Sequence, residues 1–258
     1  MYGDLHGSKI IVTRPAVAAN TLIETLLRHG ADVTNVPLLA VEPLLDPAQL
    51  SQKVQDLPNY DLVICISRNA AEIILPYIDD PSIVNWATIG PATAEYLQQC
   101  GALNVLCPLQ TPFDSHSLLL ELQLRAKILK NQCIMILTGS DGNNLLSEAL
   151  QQRGARVEVV ALYKRTMPRM SATQLQSLWS AATAVDIMVV TCVTSLINLQ
   201  ALAKSAGVNP FGIPLLVVSY RISTYAHARG FVSVYVAKGM SDADIVAALL
   251  SWRNNANK

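Results

Sequence analysis

Six short phrases hold most of the polar side chains that could meet a ligand in this chain of 258 residues. They are Thr13 to Ala16 (TRPA), Ser67 to Ala70 (SRNA), Gly90 to Thr93 (GPAT), Gly139 to Asn144 (GSDGNN), Thr191 to Ser195 (TCVTS) and Ser219 to Ser223 (SYRIS). Each follows a short valine- or isoleucine-rich run and precedes a helical pattern, so each reads as a strand-to-helix turn. The first free amides of a helix point outward at such a turn, and open α/β sheets bind ligands beyond the carboxyl ends of their strands. A ring of helix starts therefore suits a carboxylate or phosphate. Plain helix capping accounts equally for Ser, Thr and Asn at any one of these places; six similar loops make the stronger case for a ligand. Tyr163, in the phrase ALYKR, adds a hydroxyl that either donates a hydrogen bond to a leaving group or merely packs.

Other chemistries lack their residues. GSDGNN lacks the third glycine of a dinucleotide fingerprint, and no P-loop, GxSxG elbow or HExxH is present. His6, His29, His116 and His227 share no metal-ligand spacing. His29 and His227 fall near helix C-termini, on the wrong side of a sheet from the loops, which argues against a histidine base. The five cysteines form no CxxC and read as reduced thiols of a cytosolic protein. Lys plus Arg equals Asp plus Glu at 19 each, so no bulk field draws nucleic acid or membrane. Hydrophobic residues make up 51% and charged residues 15%, a core-rich folded composition. The opening MYGDLHGSK has no hydrophobic signal core, and the apolar runs are of strand length, too short to span a membrane. A cytoplasmic protein is expected.

The elements that must position these loops alternate. Helices are expected over 18–29, 69–77, 91–100, 114–124, 143–153, 195–204, 222–229 and 242–252, with short buried strands between them, the mark of parallel α/β sheets. Gly30, Gly101, Gly154 and Gly230 each fit the left-handed position that ends a helix. The two halves align as three βα modules in the order A-B-C, then A-B-C, a duplicated unit. The strings 31–44 and 155–168 are long for sheet strands and end near prolines, so they read as crossings between domains. The expected division is a discontinuous domain of 9–35 plus 170–258, an inserted domain of 45–160, and crossing strands at 36–44 and 161–169. A single continuous sheet is the simpler alternative. The repeat further predicts that the strand near residue 10 shares a sheet with those near 187, 216 and 234, not with the one near 62.

Four phrases in this order resemble the uroporphyrinogen-III synthase family: VTRP at the start, IGPATAEYLQQCG at 89–101, RGARVEVVALYKR at 153–165 and VVSYRIS near the end. The likeness covers nearly all of Lys9 to Trp252. It implies two parallel-sheet, three-layer α/β domains joined by a two-stranded ladder. It also implies a cyclising hydro-lyase of porphyrin (heme) biosynthesis that converts hydroxymethylbilane to uroporphyrinogen III with loss of water and inversion of ring D. It implies a linear tetrapyrrole polycarboxylate as substrate, no metal or cofactor, no nucleic-acid or membrane partner, and a cytosolic monomer with a transient contact to the preceding pathway enzyme. By the same likeness Tyr163 eases departure of the hydroxyl. Arg14, Ser67, Gly90, Thr93, Gly139, Ser140, Thr191, Ser195 and Ser219 stand at substrate-binding positions. Where many relatives carry an arginine–glycine phrase and a further arginine, this chain has Thr138, Gly139 and Asn143 and adds Asp141, with Arg68, Lys164, Arg165 and Arg221 as compensating cations. The alternative is a non-catalytic cytosolic binding protein for a small polycarboxylate or tetrapyrrole.

Overall fold

The computed structural model describes residues 5–124 and 129–256. The chain forms β1 (Lys9–Val12), α1 (Ala16–Arg28) and β2 (Asp32–Asn35). It continues as β3 (Ala40–Pro43), α2 (Pro47–Asp56), β4 (Leu62–Cys65), α3 (Arg68–Ile74), β5 (Trp86–Thr88), α4 (Pro91–Gln99), β6 (Val105–Leu106), α5 (Ser115–Leu124), β7 (Cys133–Gly139), α6 (Leu145–Gln152) and β8 (Arg156–Thr166). The last stretch is α7 (Ala172–Ala184), β9 (Ile187–Val190), α8 (Val193–Ala206), β10 (Leu215–Val217), α9 (Tyr220–Ala228), β11 (Val234–Val236) and α10 (Asp242–Ala256). Among the described residues no helix is long and apolar enough to cross a membrane.

The chain divides into two compact units, Met1–Ala40 with Thr166–Lys258, and Val41–Arg165. In the first unit the strand order is β11-β10-β9-β1-β2, and every registered pair is parallel. Its strands β9 and β10 are buried at every position, as expected where helices cover both faces of a parallel sheet. As the repeat predicts, β1 pairs with β9 and not with β4.

The second sheet has six strands in the order β3-β8-β7-β4-β5-β6. Residue by residue, β4 and β7 alternate between two cores. Val63, Cys65, Met135 and Leu137 face one core with Ala70, Ile74 and Leu97 of α3 and α4. Leu62, Ile64, Ile134 and Ile136 face the other with Leu118, Leu122, Leu146 and Leu150 of α5 and α6. This period of two with both sides apolar is the signature of a central strand in a three-layer unit. The two sheets carry matching orders: β11-β10-β9-β1-β2 corresponds to β6-β5-β4-β7-β8, the pattern a duplicated module produces.

One expectation is corrected. This sheet is mixed, not purely parallel, because β3 joins it at the edge beside β8. The physical reason is connectivity: β3 brings the chain into this unit and β8 takes it out, so paired side by side they run in opposite senses. Leu44 N–H donates to the Leu162 carbonyl at 2.9 Å.

Two helices escape the sequence pattern, α2 and α7. Both begin with a capping box, Asp46 with Gln49 and Ser171 with Gln174, in which the cap side chain takes the amide of the third helical residue and the glutamine reaches back. The expected helix ends are where the structure has them: Gly30, Gly101, Gly154 and Gly230 adopt φ of 81°, 100°, 88° and 100°.

Candidate functional site

In the inserted unit, the carboxyl end of β7 departs from regular pairing. Thr138 stands opposite Ala161, but Gly139 stands opposite Tyr163, so the register slips by one residue. Such a bulge re-aims the side chains that follow it. Gly139 permits the slip by having no side chain: a Cβ there would lie 2.8 Å from Tyr163 Cζ and 2.8 Å from Asp141 Oδ1. The Ser140 amide donates to the Tyr163 carbonyl at 2.8 Å, closing the bulge.

The bulge leaves Tyr163 2% exposed with its hydroxyl 2.9 Å from Ser67 Oγ. Ser67 is the cap of α3, and its Oγ also accepts from the Ala70 amide at 3.3 Å. Arg165 follows Tyr163 by two residues on β8, hence on the same face. Its Nη2 donates to the Tyr163 hydroxyl oxygen at 3.4 Å, its Nη1 pairs with Asp141 Oδ2 at 2.9 Å, and its Cζ lies 5.7 Å from the Tyr163 ring centroid. Thus Ser67, Gly139, Ser140 and Tyr163 come together, along with two residues whose partnership the sequence did not reveal. Asp141, the acid that the sequence adds in this loop, is neutralised by Arg165.

The neighbouring thiol offers no nucleophile. Burial pushes the Cys65 thiol up to about 12, and its S–H donates to the Ser67 carbonyl at 3.4 Å. A cavity of about 270 Å³ lies beside the bulge, lined by Thr138, Asp141, Gly142, Asn143, Ile66 and Ile89 among others. A larger one, about 690 Å³, opens at the opposite ends of the same strands, among Asp61, Asn85 and Gln132. It is remote from Tyr163 in the sheet, because those residues precede β4, β5 and β7.

The remaining expected residues are dispersed. Gly90 caps α4 with extended backbone and is half-buried, while Thr93 is buried at 7% exposure within that helix. In the other unit Ser219 caps α9, accepting from the Ile222 amide at 3.4 Å. Thr191 is half-buried, and Ser195 is buried within α8, its Oγ 3.1 Å from Cys192 Sγ. The side chains of Thr93 and Ser195 are therefore turned into the fold. Arg14 is held by its own unit: Nη1 pairs with Asp242 Oδ1 at 2.5 Å and Nη2 donates to the Met240 carbonyl at 2.8 Å.

Of the four compensating cations, Arg68 pairs with Glu72 at 2.9 Å and stacks over Tyr96, and Lys164 pairs with Glu42 at 3.1 Å. Arg165 is taken by Asp141, and Arg221 is exposed in the first turn of α9. Among the described residues no group of three or more His, Cys, Asp or Glu side chains is arranged to hold a metal ion.

The model of the family described as Uroporphyrinogen-III synthase HemD matches residues 20–247. The uroporphyrinogen-III synthase of Escherichia coli (strain K12) is 26% identical over 247 residues, spanning 93% of this chain and 99% of that one. The porphyrin biosynthesis protein HemD of Ruminiclostridium josui is 25% identical over 166 residues, which are 62% of this chain but only 32% of that longer protein. In fold, the chain is similar to the crystal structure of uroporphyrinogen-III synthetase from Helicobacter pylori 26695, with a TM-score of 0.60, 13% identity and coverage of 96% and 99%.

Proposed function

The chain belongs to the uroporphyrinogen-III synthase family, and from that membership we propose that it cyclises hydroxymethylbilane to uroporphyrinogen III, losing water and inverting the fourth ring. The family match across residues 20–247 carries this reading. The 2.9 Å contact of Tyr163 with Ser67 supports the residue roles.

The reaction asks little covalent work of the protein. The terminal C–O bond of the bilane breaks with its electron pair moving to oxygen, while the adjacent pyrrole nitrogen supplies electrons and becomes a cationic azafulvene. The departing oxygen needs a proton to leave as water. In our reading that proton comes from the Ser67 hydroxyl, the more exposed of the pair, and Tyr163 replaces it. Closure then passes through the spiro intermediate. The proton shed when the last pyrrole regains aromaticity returns to the phenolate, so the enzyme ends as it began. Positioning the chain for closure in the disfavoured register supplies much of the remaining acceleration.

The substrate's acetate and propionate groups call for anion sites. The starts of α1, α3, α4, α6, α8 and α9 offer free amides and positive dipole ends for them. Ser67, Gly90, Gly139, Ser140, Thr191 and Ser219 are our substrate contacts at these starts. Arg14, Thr93 and Ser195, whose side chains are engaged or buried, take part through the backbone of their loops. The same reading carries the division into domains 9–35 with 170–258, and 45–160, joined by a ladder of crossing strands at 36–44 and 161–169. It also carries a cytoplasmic, monomeric protein acting without metal or cofactor.

The test is to supply freshly generated hydroxymethylbilane to the purified protein, oxidise the products and separate the isomers. A large excess of isomer III is expected; isomer I alone at the spontaneous rate would overturn the reading. In Tyr163→Phe, which keeps the ring and removes the donor, kcat and kcat/KM should fall together by about ten- to a thousandfold, or roughly 1.5–4 kcal/mol.

A further inference from the structure

We propose that Asp141 and Arg165 are positioning residues that fix the direction in which Tyr163 gives its proton, making the Ser67 hydroxyl the outward end of the donor chain. The inference rests on the role given to Tyr163 above and deepens it.

The argument is an accounting of donors. A phenol has one hydrogen to give, and a serine hydroxyl has one hydrogen and two lone pairs. The Tyr163–Ser67 contact permits either group to be the donor. Arg165 Nη2 approaches the phenol oxygen at 3.4 Å and, being a guanidinium, can only donate. If Ser67 also donated to that oxygen, the phenol hydrogen would be left without an acceptor on a residue only 2% exposed, a costly orphan. The satisfied arrangement runs from Arg165 to Tyr163 to Ser67. Ser67 then accepts from both Tyr163 and the Ala70 amide, and its own hydrogen is the one free to meet a ligand.

Arg165 holds this posture because of Asp141. Its side chain is 37% exposed and would extend into solvent if released. Asp141 fixes one arm of the guanidinium at 2.9 Å while the other reaches the phenol. A planar fork spans both partners, which a lysine ammonium does not. Asp141 is itself seated by the bulge, with Oδ1 in the space that a side chain at Gly139 would fill. The acid that departs from the family's usual loop thus has a purpose of its own here.

The experiment compares Arg165→Gln, Arg165→Lys, Asp141→Asn, Tyr163→Phe and the double variant Arg165→Gln/Tyr163→Phe, after thermal melts establish that each is folded. Arg165→Gln and Asp141→Asn should lower kcat about tenfold with KM changed less than about twofold, and Arg165→Lys should recover part of the loss. In the Tyr163→Phe background, Arg165→Gln should change kcat by less than about twofold, since there is no longer a proton to aim. A rise in KM with kcat intact would make Arg165 a substrate anchor and overturn the inference. So would an equal loss in both backgrounds. Normal kcat in Tyr163→Phe would remove the proton-donor role itself. A slow Tyr163→Phe beside a fully active Arg165→Gln would remove only the positioning role.

Discussion

Alanine at Gly139 adds one methyl group at the most crowded point of the site. It would stand 2.8 Å from Tyr163 Cζ, 2.9 Å from Tyr163 Cε2 and 2.8 Å from Asp141 Oδ1, where ordinary contact begins at 3.4 Å. The carboxylate is on an exposed residue and can swing away; the ring, 2% exposed and packed with Val160 and Leu162, cannot do so cheaply. Restoring contact requires a displacement of 3.4 − 2.8 = 0.6 Å. Taken along the line to Ser67, that stretches the hydroxyl contact from 2.9 Å toward 3.5 Å, the outer limit of a hydrogen bond. Overpacking of this kind costs about 1–3 kcal/mol. Urea unfolding should register that loss. Turnover of hydroxymethylbilane should fall at least about tenfold, and Gly139→Ala should add little to Tyr163→Phe. A variant destabilised in this range yet fully active would refute the reasoning, because a displaced Tyr163 would then be harmless. Unchanged stability would refute the close approach itself.

Two further outcomes follow from ion pairs at the ends of the sheets. Arg14→Ala should lose about 1–2 kcal/mol of unfolding free energy, because it removes a part-buried pair with Asp242 and a bond to the Met240 carbonyl; an unchanged midpoint in urea beside weakened substrate capture would show that the guanidinium serves the ligand instead. Glu158 is held below the usual carboxylate range, first by its bond to Lys53 and then by its bond to Tyr60, against the cost of burial. A depressed folded value means that this contribution is complete above the unfolded value of about 4.3 and is lost as pH falls through the folded one. Glu158→Gln should therefore flatten the acid limb of stability below the unfolded value of about 4.3, and superimposable acid limbs in urea titrations would sink the assignment.

The alternation of strands and helices, the left-handed glycines at 30, 101, 154 and 230, and the pairing of β1 with β9 are all legible in the chain before it folds. Each is written in neighbouring residues or in the repetition of a module: apolar periodicity decides which face is buried, and a positive φ falls on glycine for want of a Cβ. Helices α2 and α7 stand outside the β–α rhythm, and only the capping boxes Asp46–Gln49 and Ser171–Gln174 announce their starts.

The meetings at the strand ends are set by the folded chain. Arg14 finds Asp242 across 228 residues, Tyr163 finds Ser67 across 96, and Asp141 finds Arg165 across 24. These meetings depend on strand order and, for Tyr163, on a register slip that turns on whether position 139 has a side chain. Such a slip leaves no trace in hydrophobic periodicity, since Gly139 reads equally well as the last residue of a strand or the first of a turn. The antiparallel edge of the second sheet is likewise a property of connection. The pattern of β3 and β8 marks both as extended, but pairing depends on where the chain enters and leaves the unit, and that is set by the fold around them.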